Sequence, residues 1–293
     1  MYGAIIGDIV GSPYEFSRNK RKDFSPLFHP KAGFTDDTIM TVAVADCLMH
    51  EIPPAEAMRE WGRKVLPTES LGGYGAGFIR WLAAPEVMPP YNSYGNGAAM
   101  RVSPVAWLFD DVETALEVAR LVTVVSHSHP EAVKGAQAVV LSILMARDRA
   151  TPNDIRDAVQ DRFGYDLRHD VDTARVHHEY NETCQGCVPD AIVCALEASG
   201  YEDAIRNAIS LGGDADTLAA ITGSIAEAMF SIPAGLIEET RPHLKPELLE
   251  VIEEFYSKAN TEYLRTLATE DDAIDQMLSS TSYSQILRDR GKN

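Results

Sequence analysis

The sequence predicts an all-α fold in which many medium-length helices form one orthogonal, multi-helix bundle. Apolar residues recur at helical spacing along most of the chain, and strict alternation with period two is nearly absent. Three segments, 130–147, 188–199 and 214–230, are apolar or small on nearly every side, which is typical of helices that other helices surround. A shell around buried helices favours a single domain over two domains side by side.

Apolar stripes and helix-starting residues place the elements in order along the chain. The N-terminal segment GAIIGDIVG is predicted to form a helix. Segment 36–50 places its apolar residues close to one face, and segment 54–66 begins with Pro54 at a position that favours a helix start. Further helical patterns cover 97–108, 112–125, 130–147, 152–163, 188–199, 201–211, 214–230 and 246–268.

The segments between these helices are predicted to be loops and a tail. The Pro/Gly/Asn-rich stretches 67–77 and 85–97 are expected to be loops within the same domain, where functional sites often lie. After about residue 268 the chain is polar and weakly patterned. We therefore expect a domain over residues 1–268 and a loosely held polar extension over residues 269–293.

Charge and composition restrict the class of protein. The 293 residues include 44 acidic and 26 basic side chains, a net charge of −18, which speaks against a nucleic-acid-binding groove. No apolar run is long enough for a membrane span, and the N-terminus carries no basic leader. We expect a cytoplasmic monomer with no membrane partner, whose four cysteines stay reduced.

Two segments each place a pair of carboxylates at the start of an apolar helix. Their residues are Thr35, Asp36 and Asp37 in the first segment, and Asp214, Asp216 and Thr217 in the second. Each segment alone is explained by helix capping, because Asp and Thr oxygens accept hydrogen bonds from unpaired N–H groups. If both helix starts meet in the interior, four carboxylates converge, and cations must offset their repulsion. Oxygen ligands select a hard ion, so the two segments together favour Mg²⁺, Mn²⁺ or Ca²⁺ over zinc.

Glycines recur every four residues near the N-terminus, at Gly3, Gly7 and Gly11. This spacing places them on one helix face, where another helix backbone can approach closely. Glu15 follows in a Ser-Pro-Tyr-Glu turn, from which an acid could swing over a site.

A Gly/Asn-rich loop, which includes Tyr94, Gly95, Asn96 and Gly97, runs into a predicted helix start. Backbone N–H groups free of large side chains form a cradle suited to a phosphate or diphosphate. The loop is neither a Walker loop nor a dinucleotide-binding fingerprint, because no strand precedes it.

Two other motifs have the spacing of zinc or redox sites but lack the partners that such sites need. His127 and His129 are predicted to hydrogen-bond or to cap the next helix, because alternate residues outside a strand rarely converge on one ion. Cys184 and Cys187 have neither a second ligand pair nor a βαβ unit around them. The neighbouring residues Gly186, Val188 and Pro189 are interpreted as a helix start.

Six motifs, in order along residues 1 to about 257, resemble those of the ADP-ribosylglycohydrolase family. They are GAIIGDIVGSPYE, FTDDTIMT, YGNGAAMR with SPVA, SHSHPEAVKGA, VPDAI and LGGDADTLAAITGSIAEA. The resemblance implies an all-α orthogonal bundle with a central dinuclear Mg²⁺ (or Mn²⁺) site. It also implies that the partner is ADP-ribose, or an ADP-ribosylated protein or small molecule.

The resemblance further implies a role for each matched position. The metal ligands would be Thr35, Asp36, Asp37, Asp214, Asp216 and Thr217. Glu15 would be the mobile acid beside the metals, and the acid/base work would fall to Glu15, Asp36 or Asp37. Tyr94, Gly95, Asn96 and Gly97 would hold the diphosphate and adenosine, with His127 near the phosphates. The chain departs from the family pattern at Cys187, where a small or hydroxyl residue is usual, and at Ser231, which replaces a customary glycine.

The implied reaction is hydrolysis of the glycosidic bond at C1 of the distal ribose, through an oxocarbenium-like transition state. A non-catalytic ADP-ribose-binding relative is a second hypothesis, although such a protein is expected to lose an acid and this chain keeps all four. A different all-α, metal-dependent nucleotide hydrolase is a third. It would carry an HD or E-x-x-E pattern, and the His169-Asp170 pair lies in a predicted polar loop. The acceptor is left open between arginine, serine, another side chain, a nucleobase and a small molecule.

Overall fold

A computed structural model describes residues 1–65 and 73–259, and these residues form an all-α structure. Within the two ranges there is no β-strand, only an isolated antiparallel bridge between Gly95 and Thr183. The predicted fold class is therefore confirmed. The α-helices are, in chain order, α1 (Tyr2–Gly11), α2 (Asp36–His50), α3 (Pro54–Lys64), α4 (Ala76–Ala83), α5 (Val105–Leu108), α6 (Val112–Val124), α7 (Pro130–Arg147), α8 (Pro152–Phe163), α9 (Val171–His177), α10 (Cys184–Leu196), α11 (Tyr201–Ile209), α12 (Ala215–Met229), α13 (Ala234–Thr240) and α14 (Pro246–Ala259).

Most predicted helices agree with these bounds to within a few residues. The bounds of α2, α7 and α8 are those expected from the sequence. The helix predicted at 246–268 corresponds to α14, which the structure describes as far as Ala259. The rest of this predicted helix and the predicted extension 269–293 lie outside the described residues. In the parts of the chain that the structure describes, no helix is both long enough and apolar enough to span a membrane.

The helix predicted at 97–108 is wrong. Asn96–Ala98 forms a single 3₁₀ turn, a non-helical turn follows, and only the short α5 is α-helical. Pro104, which immediately precedes α5, has no N–H for a helical hydrogen bond and disfavours helical geometry at the residue before it. The segment therefore cannot continue as one helix.

Three short helices, α4, α9 and α13, were not predicted, because seven or eight residues are too few to show a clear apolar stripe. Helix α4 ends against two arginines of α3, whose guanidinium groups donate to its last carbonyls. Arg59 Nη1 donates to Trp81 O at 2.5 Å, and Arg63 Nη2 donates to Leu82 O at 2.6 Å. These tertiary contacts satisfy the helix C-terminus and have no counterpart in the local sequence.

Helix α10 begins four residues earlier than predicted. Thr183 caps it, since its hydroxyl oxygen accepts from Gly186 N at 3.2 Å, and the first helical residue is Cys184. Val188 and Pro189, interpreted from the sequence as a helix start together with Gly186, therefore lie inside the helix. The Thr183 side chain, rather than the proline, sets the start.

Helix α12 lies at the centre, and every residue from Ala215 to Ala226 is buried. It contacts α1, α2, α7, α10 and α11, as its apolar character on all sides predicts. Its closest neighbour is α1, which packs backbone to backbone. A Cβ atom would lie 2.1 Å from Gly223 O if added at Gly3, 2.1 Å from Ala219 O at Gly7, and 2.6 Å from Ala215 O at Gly11. The close approach predicted from the glycine spacing is thus confirmed, and the C-terminal end of α1 meets the start of α12.

Gly7→Ala should destabilise the protein, because the new methyl group would collide with a backbone carbonyl that cannot rotate away. We expect the free energy of unfolding to fall by about 3 kcal/mol, the upper part of the range for overpacked sites. Urea denaturation measures the change. Gly235→Ala in α13 is the matched control, since a Cβ there meets nothing within 4 Å, and its free energy of unfolding should stay the same or rise by up to about 1 kcal/mol. Equal stability of the two variants would contradict the close packing of α1 on α12.

Candidate active site

The two acidic helix starts meet in the interior, beside the C-terminal end of α1. Carboxylate oxygens of Asp8, Asp37 and Asp216 lie within 4.8 Å of one another, and so do those of Glu15, Asp214 and Asp216. Asp216 belongs to both triads. The segments before α2 and α12, far apart in sequence, therefore supply one cluster of acids.

Asp8 is a member of the cluster that the sequence analysis did not assign. It is fully buried in α1 and accepts four hydrogen bonds from the start of α2. Thr35 donates through N at 2.9 Å and Oγ1 at 2.8 Å, and Thr38 donates through N at 3.1 Å and Oγ1 at 2.5 Å. Asp8 thus caps α2 from a different helix. The sequence does contain a signal for a special role of this residue, because Asp8 is the only charged residue in an otherwise apolar segment from Met1 to Gly11.

Helix capping, the alternative interpretation of the two acidic segments, holds for one segment and not for the other. Thr35 caps α2, since its Oγ1 accepts from Asp37 N at 3.3 Å. Asp214 occupies the corresponding position before α12 but makes no side-chain capping hydrogen bond. Its Oδ2 instead accepts from Asn96 Nδ2 at 2.6 Å. The carboxylate of Asp214 is therefore held towards the cluster rather than towards its own helix.

The remaining predicted ligands lie around the two triads. Thr217 Oγ1 is 3.4 Å from Asp37 Oδ2, and Thr35 Oγ1 is 3.3 Å from the same oxygen. Asp36 is half-buried on the cavity wall and belongs to neither triad. The structure thus brings the predicted ligands together, with Asp36 at the edge.

Burial and mutual repulsion disfavour ionised carboxylates in this cluster. Burial raises the pKa of Asp8 to about 6, and burial with the nearby charge of Asp8 raises the pKa of Asp36 to about 7. Burial, followed by the charges of Asp214 and Asp36, raises the pKa of Glu15 to about 8. The pKa values of Asp37 and Asp216 lie well above the usual range, again chiefly because of burial. Acids in such a site need a compensating cation or bound protons.

A cavity of about 300 Å³ opens from this cluster. Phe78, Tyr91, His127 and Arg101 also line it. The imidazole ring centre of His127 lies 6.0 Å from that of Tyr91 and 6.5 Å from that of Phe78. The cavity lining therefore combines an acidic cluster with a group of neighbouring aromatic rings.

Arg101 adds a positive charge to the cavity lining. It is 1% exposed and donates to Ser126 Oγ at 3.1 Å, and Ser126 Oγ is 2.8 Å from His127 Nδ1. Burial, and then the charge of Arg101, hold the pKa of His127 well below its usual range, so the imidazole is neutral. Arg101 belongs to no sequence motif that assigns it a role, although it is the only charged residue between Asn96 and Leu108.

The Gly/Asn loop lines the cavity, but two of its amides already have protein acceptors. Asn96 N donates to Glu182 O at 2.8 Å, and Gly95 N donates to Ser93 Oγ at 3.1 Å. Fewer N–H groups are thus open to a phosphate than the sequence suggests. Tyr94 lies outside the cavity lining and packs edge-on against His129, with ring centres 5.2 Å apart.

The Cys-x-x-Cys pair supports this loop. Cys184 Sγ donates to Gly95 O at 3.2 Å, and Cys187 Sγ accepts from Asn96 Nδ2 at 3.4 Å. Both thiols are fully buried, and burial raises the pKa of Cys184 to about 12. The pair therefore consists of inert thiols that help to hold the loop and the Asn96 side chain beside Asp214. His129, the other motif residue, caps α7 as predicted.

The fold and the site define an all-α protein with a buried, all-oxygen acidic centre at one end of a ligand-sized cavity. The chain belongs to the ADP-ribosylglycohydrolase family, whose sequence model matches residues 1–265. The resemblance seen in the six sequence motifs is thereby confirmed.

Individual relatives are distant. ADP-ribosylhydrolase ARH3 of Danio rerio is 26% identical, with 79% of this chain and 82% of the relative covered. An uncharacterised protein of Archaeoglobus fulgidus is 28% identical, with 80% of this chain and 88% of that protein covered. A solved structure described as an ADP-ribosylglycohydrolase-related protein complex matches with a TM-score of 0.61 at 23% identity, over 88% of this chain and 95% of that one. This match supports the fold.

Without a divalent cation, stability should fall as the pH rises from about 5 to about 8. The folded protein retains protons on Asp8, Asp36 and Glu15 up to pKa values of about 6, 7 and 8. The unfolded chain releases them near pH 4, so the native state binds more protons across this window, and its advantage is lost as the pH passes through the raised values. In EDTA, we expect a lower melting temperature at pH 8 than at pH 5.5, and a larger rise on adding Mg²⁺ at pH 8.

The Glu15→Gln variant is the control for this pH dependence. Glutamine resembles the protonated carboxyl group and does not titrate, so the melting temperature of the variant in EDTA should fall less than that of the unmodified protein between about pH 5 and about pH 8. Identical pH profiles for the two proteins would show that Glu15 does not contribute in the way its surroundings indicate.

Asp8→Asn should weaken the binding of divalent cations by about 10–100-fold, the range for groups that orient metal ligands. The asparagine keeps the shape but removes one charge from the cluster and part of the hydrogen bonding to Thr35 and Thr38. Calorimetric titration with Mn²⁺ measures the affinity. Asp172→Asn on the exposed face of α9 is the matched control and should bind Mn²⁺ as the unmodified protein does. Unchanged Mn²⁺ affinity in Asp8→Asn would remove Asp8 from the site.

Proposed function

We propose that the protein is a metal-dependent hydrolase that cleaves the glycosidic bond between ADP-ribose and a modified acceptor. The observation that carries this proposal is the convergence of two carboxylate triads at a cavity whose lining also offers aromatic rings and a buried arginine. The acids suit the hydroxyl-rich ribose at which the bond is cut, once cations are bound, and the arginine and the rings suit a diphosphate and a base. Membership of the ADP-ribosylglycohydrolase family supports the same substrate class.

We propose two Mg²⁺ ions as cofactors, which Mn²⁺ could replace. The residues that would hold them are Thr35, Asp36, Asp37, Asp214, Asp216 and Thr217. The donor set fits a hard cation, since all donors are oxygens and one of them, the buried Asp37 Oδ1, has no hydrogen-bond partner among the described residues. When bound, the ions supply Lewis acidity and fix the ribose hydroxyls.

Glu15 is the proposed acid/base residue. It is 9% exposed at the end of the turn after α1 and faces Asp214 and Asp216. In this position, its carboxyl group can exchange a proton with the departing acceptor atom or with the attacking water. Asp36 and Asp37 place negative charge near the C1 atom, where the oxocarbenium-like transition state develops positive charge. Either could share the proton transfer with Glu15.

The diphosphate is proposed to lie between Gly97 and the Arg101 end of the cavity. A Cβ added at Gly97 would be 3.4 Å from His127 Nε2, so the glycine keeps the surface in front of His127 open. The neutral imidazole of His127 can donate a hydrogen bond, and the charge of Arg101, which is linked to His127 through Ser126, would offset the phosphate charge. The sequence predicts that Tyr94, Gly95 and Asn96 also hold the ligand, but Tyr94 lies outside the cavity lining and Asn96 holds Asp214. The adenosine would therefore extend beyond Gly97 rather than along this loop.

The cytoplasmic location, the monomeric state and the domain boundary at residue 268 stay predictions from the sequence.

The proposal is tested by measuring release of ADP-ribose from ADP-ribosylated peptides with Mg²⁺ and with EDTA. EDTA should abolish release, and Mg²⁺ or Mn²⁺ should restore it. Glu15→Gln should still bind Mn²⁺ but lose about 10²–10⁴-fold in turnover, the range of general acid/base contributions, whereas Asp216→Asn should lose Mn²⁺ binding and turnover together. Glu179→Gln, an exposed glutamate outside the cavity lining, is the matched control and should keep the original turnover.

The outcomes separate the three functional hypotheses. Binding of ADP-ribose without release from any peptide would favour the non-catalytic relative. Hydrolysis of free nucleotides in place of the peptides would favour the nucleotide hydrolase. Full activity in EDTA would contradict the metal-dependent mechanism.

A further inference from the structure

One lysine outside the cavity lining, Lys20, joins three segments of the chain that lead to the acidic cluster. Its Nζ donates to Arg175 O at 2.9 Å, to His178 O at 2.9 Å and to Leu211 O at 2.5 Å. An ammonium group carries three N–H donors, so the three backbone carbonyls can occupy all of them. The side chain of Lys20 therefore binds the fold rather than a ligand.

Each of the three segments leads within five residues to an acid of the cavity lining, namely to Glu15, Glu182 or Asp214. Glu15 precedes Lys20 on the same segment, Glu182 follows the end of α9, and Asp214 follows the end of α11. The segments are distant in sequence, since Lys20 and Leu211 are 191 residues apart. One ammonium group thus links the backbone around all three acids.

Two of the three hydrogen bonds close the C-terminal end of α9, which ends at His177. The last carbonyl groups of a helix have no partner within it, and Lys20 supplies one for Arg175 and for the capping residue His178. The side chain of His178 has its own anchor, since its Nδ1 lies 2.7 Å from Asp190 Oδ2. The end of α9 is therefore a fixed support for the ammonium group.

The third hydrogen bond holds the turn that leads into α12. Between Leu211 and Asp214 lie two glycines, both at positive φ, 72° and 78°. Glycine restricts the backbone least, so contacts from outside must fix the conformation of such a turn. A Cβ added at Gly212 would lie 3.6 Å from Lys20 Cε, so the lysine side chain lies against the turn itself. The position of Asp214 therefore depends on Lys20.

We propose that Lys20 is a positioning residue that fixes Asp214 relative to Glu15, and that the acidic cluster needs it to bind cations and transfer protons in one geometry. The inference rests on the proposed hydrolase function and adds to it a residue that touches neither substrate nor metal. Carboxylate oxygens of Glu15 and Asp214 lie within 4.8 Å of each other. A shift of the turn by about 1 Å would change that arrangement, and misplacement on this scale can lower a catalytic rate by about 10²-fold.

The first test is Lys20→Met, which removes the ammonium group and keeps an unbranched side chain. We expect kcat for release of ADP-ribose from ADP-ribosylated peptides to fall about 10–100-fold, and the affinity for Mn²⁺, measured by calorimetric titration, to fall about tenfold, as for residues that orient metal ligands. KM should change little, because Lys20 touches no substrate. Lys20→Arg should show the same losses, since a planar guanidinium keeps the charge but cannot direct three donors from one nitrogen.

Lys22→Met is the matched control. Lys22 lies on the same segment, but its Nζ contacts Asp203 Oδ1 at 2.6 Å, in the first turn of α11. Loss of this contact should leave kcat and the Mn²⁺ affinity unchanged.

Lys20→Cys allows the ammonium group to be put back. Alkylation with 2-bromoethylamine extends the introduced thiol to a side chain that ends in an ammonium group at the position of the lysine Nζ. The four native cysteines are buried and should stay unmodified, which mass spectrometry checks. The alkylated variant should recover kcat and Mn²⁺ affinity, whereas untreated Lys20→Cys should resemble Lys20→Met.

Melting temperatures establish which variants are folded at the assay temperature. Unchanged kcat and Mn²⁺ affinity in Lys20→Met, or in Lys20→Arg if Lys20→Met does not fold, overturn the inference. Equal losses in Lys22→Met also overturn it, because any loosening of the segment would then have the same effect, and so does an alkylated Lys20→Cys that recovers nothing. If the unmodified protein releases no ADP-ribose, the proposed function fails, and the Mn²⁺ affinities of the same variants still decide the role of Lys20.

Discussion

The backbone contact between α1 and α12 is the constraint on which the rest of the structure depends. Three glycines remove the side chains that would otherwise separate the two helices, and each faces a carbonyl oxygen of α12. The register follows from these contacts, since Gly3 lies opposite Gly223 and Gly11 lies opposite Ala215. The end of α1 is thereby fixed beside the start of α12, which brings Asp8 and Glu15 to Asp214 and Asp216. If the two helices lay farther apart, the five acids of the two triads, which also include Asp37, would not meet in one site.

The cluster that results is costly for the fold, and other parts of the chain hold it in place. Buried acids of like charge oppose folding unless protons or cations compensate for them, as their raised pKa values indicate. Asp8 ties its own helix to the start of α2 through four hydrogen bonds. On the other side, Asn96 holds Asp214, and Cys187 contacts the same Asn96 amide. Residues of three separate segments thus fix the carboxylates before any ligand is present, which is the preorganisation that a catalytic site needs.

How much of this could be predicted from the sequence depends on whether the signal is local. The fold class, the glycine-lined face and the two acidic helix starts follow from spacing and residue type alone, and the structure contains all three. The helix at 97–108 was predicted wrongly because its apolar pattern outweighed Pro104. The roles of Asp8 and Arg101 depend on partners about 20 to 30 residues away or more, such as Thr38 and Ser126, so no local pattern contains them. Each was nevertheless visible as a lone charge in an apolar segment, which marks a residue that must find a buried partner.

The distribution of charge inside the cavity explains how a protein with a net charge of −18 can accept an anionic ligand. Its acids form one cluster, in which the unpaired Asp37 Oδ1 calls for a cation. Arg101 lines the same cavity close to a neutral His127 and is fully buried, so its positive charge is screened little by water. The ligand of the proposed function carries a diphosphate and a hydroxyl-rich ring. The acids and their cations would suit the ring, and the buried arginine would suit the diphosphate, so the ring carbon that reacts would lie beside Glu15. The charges that would admit this ligand would thereby also determine which bond the acids reach.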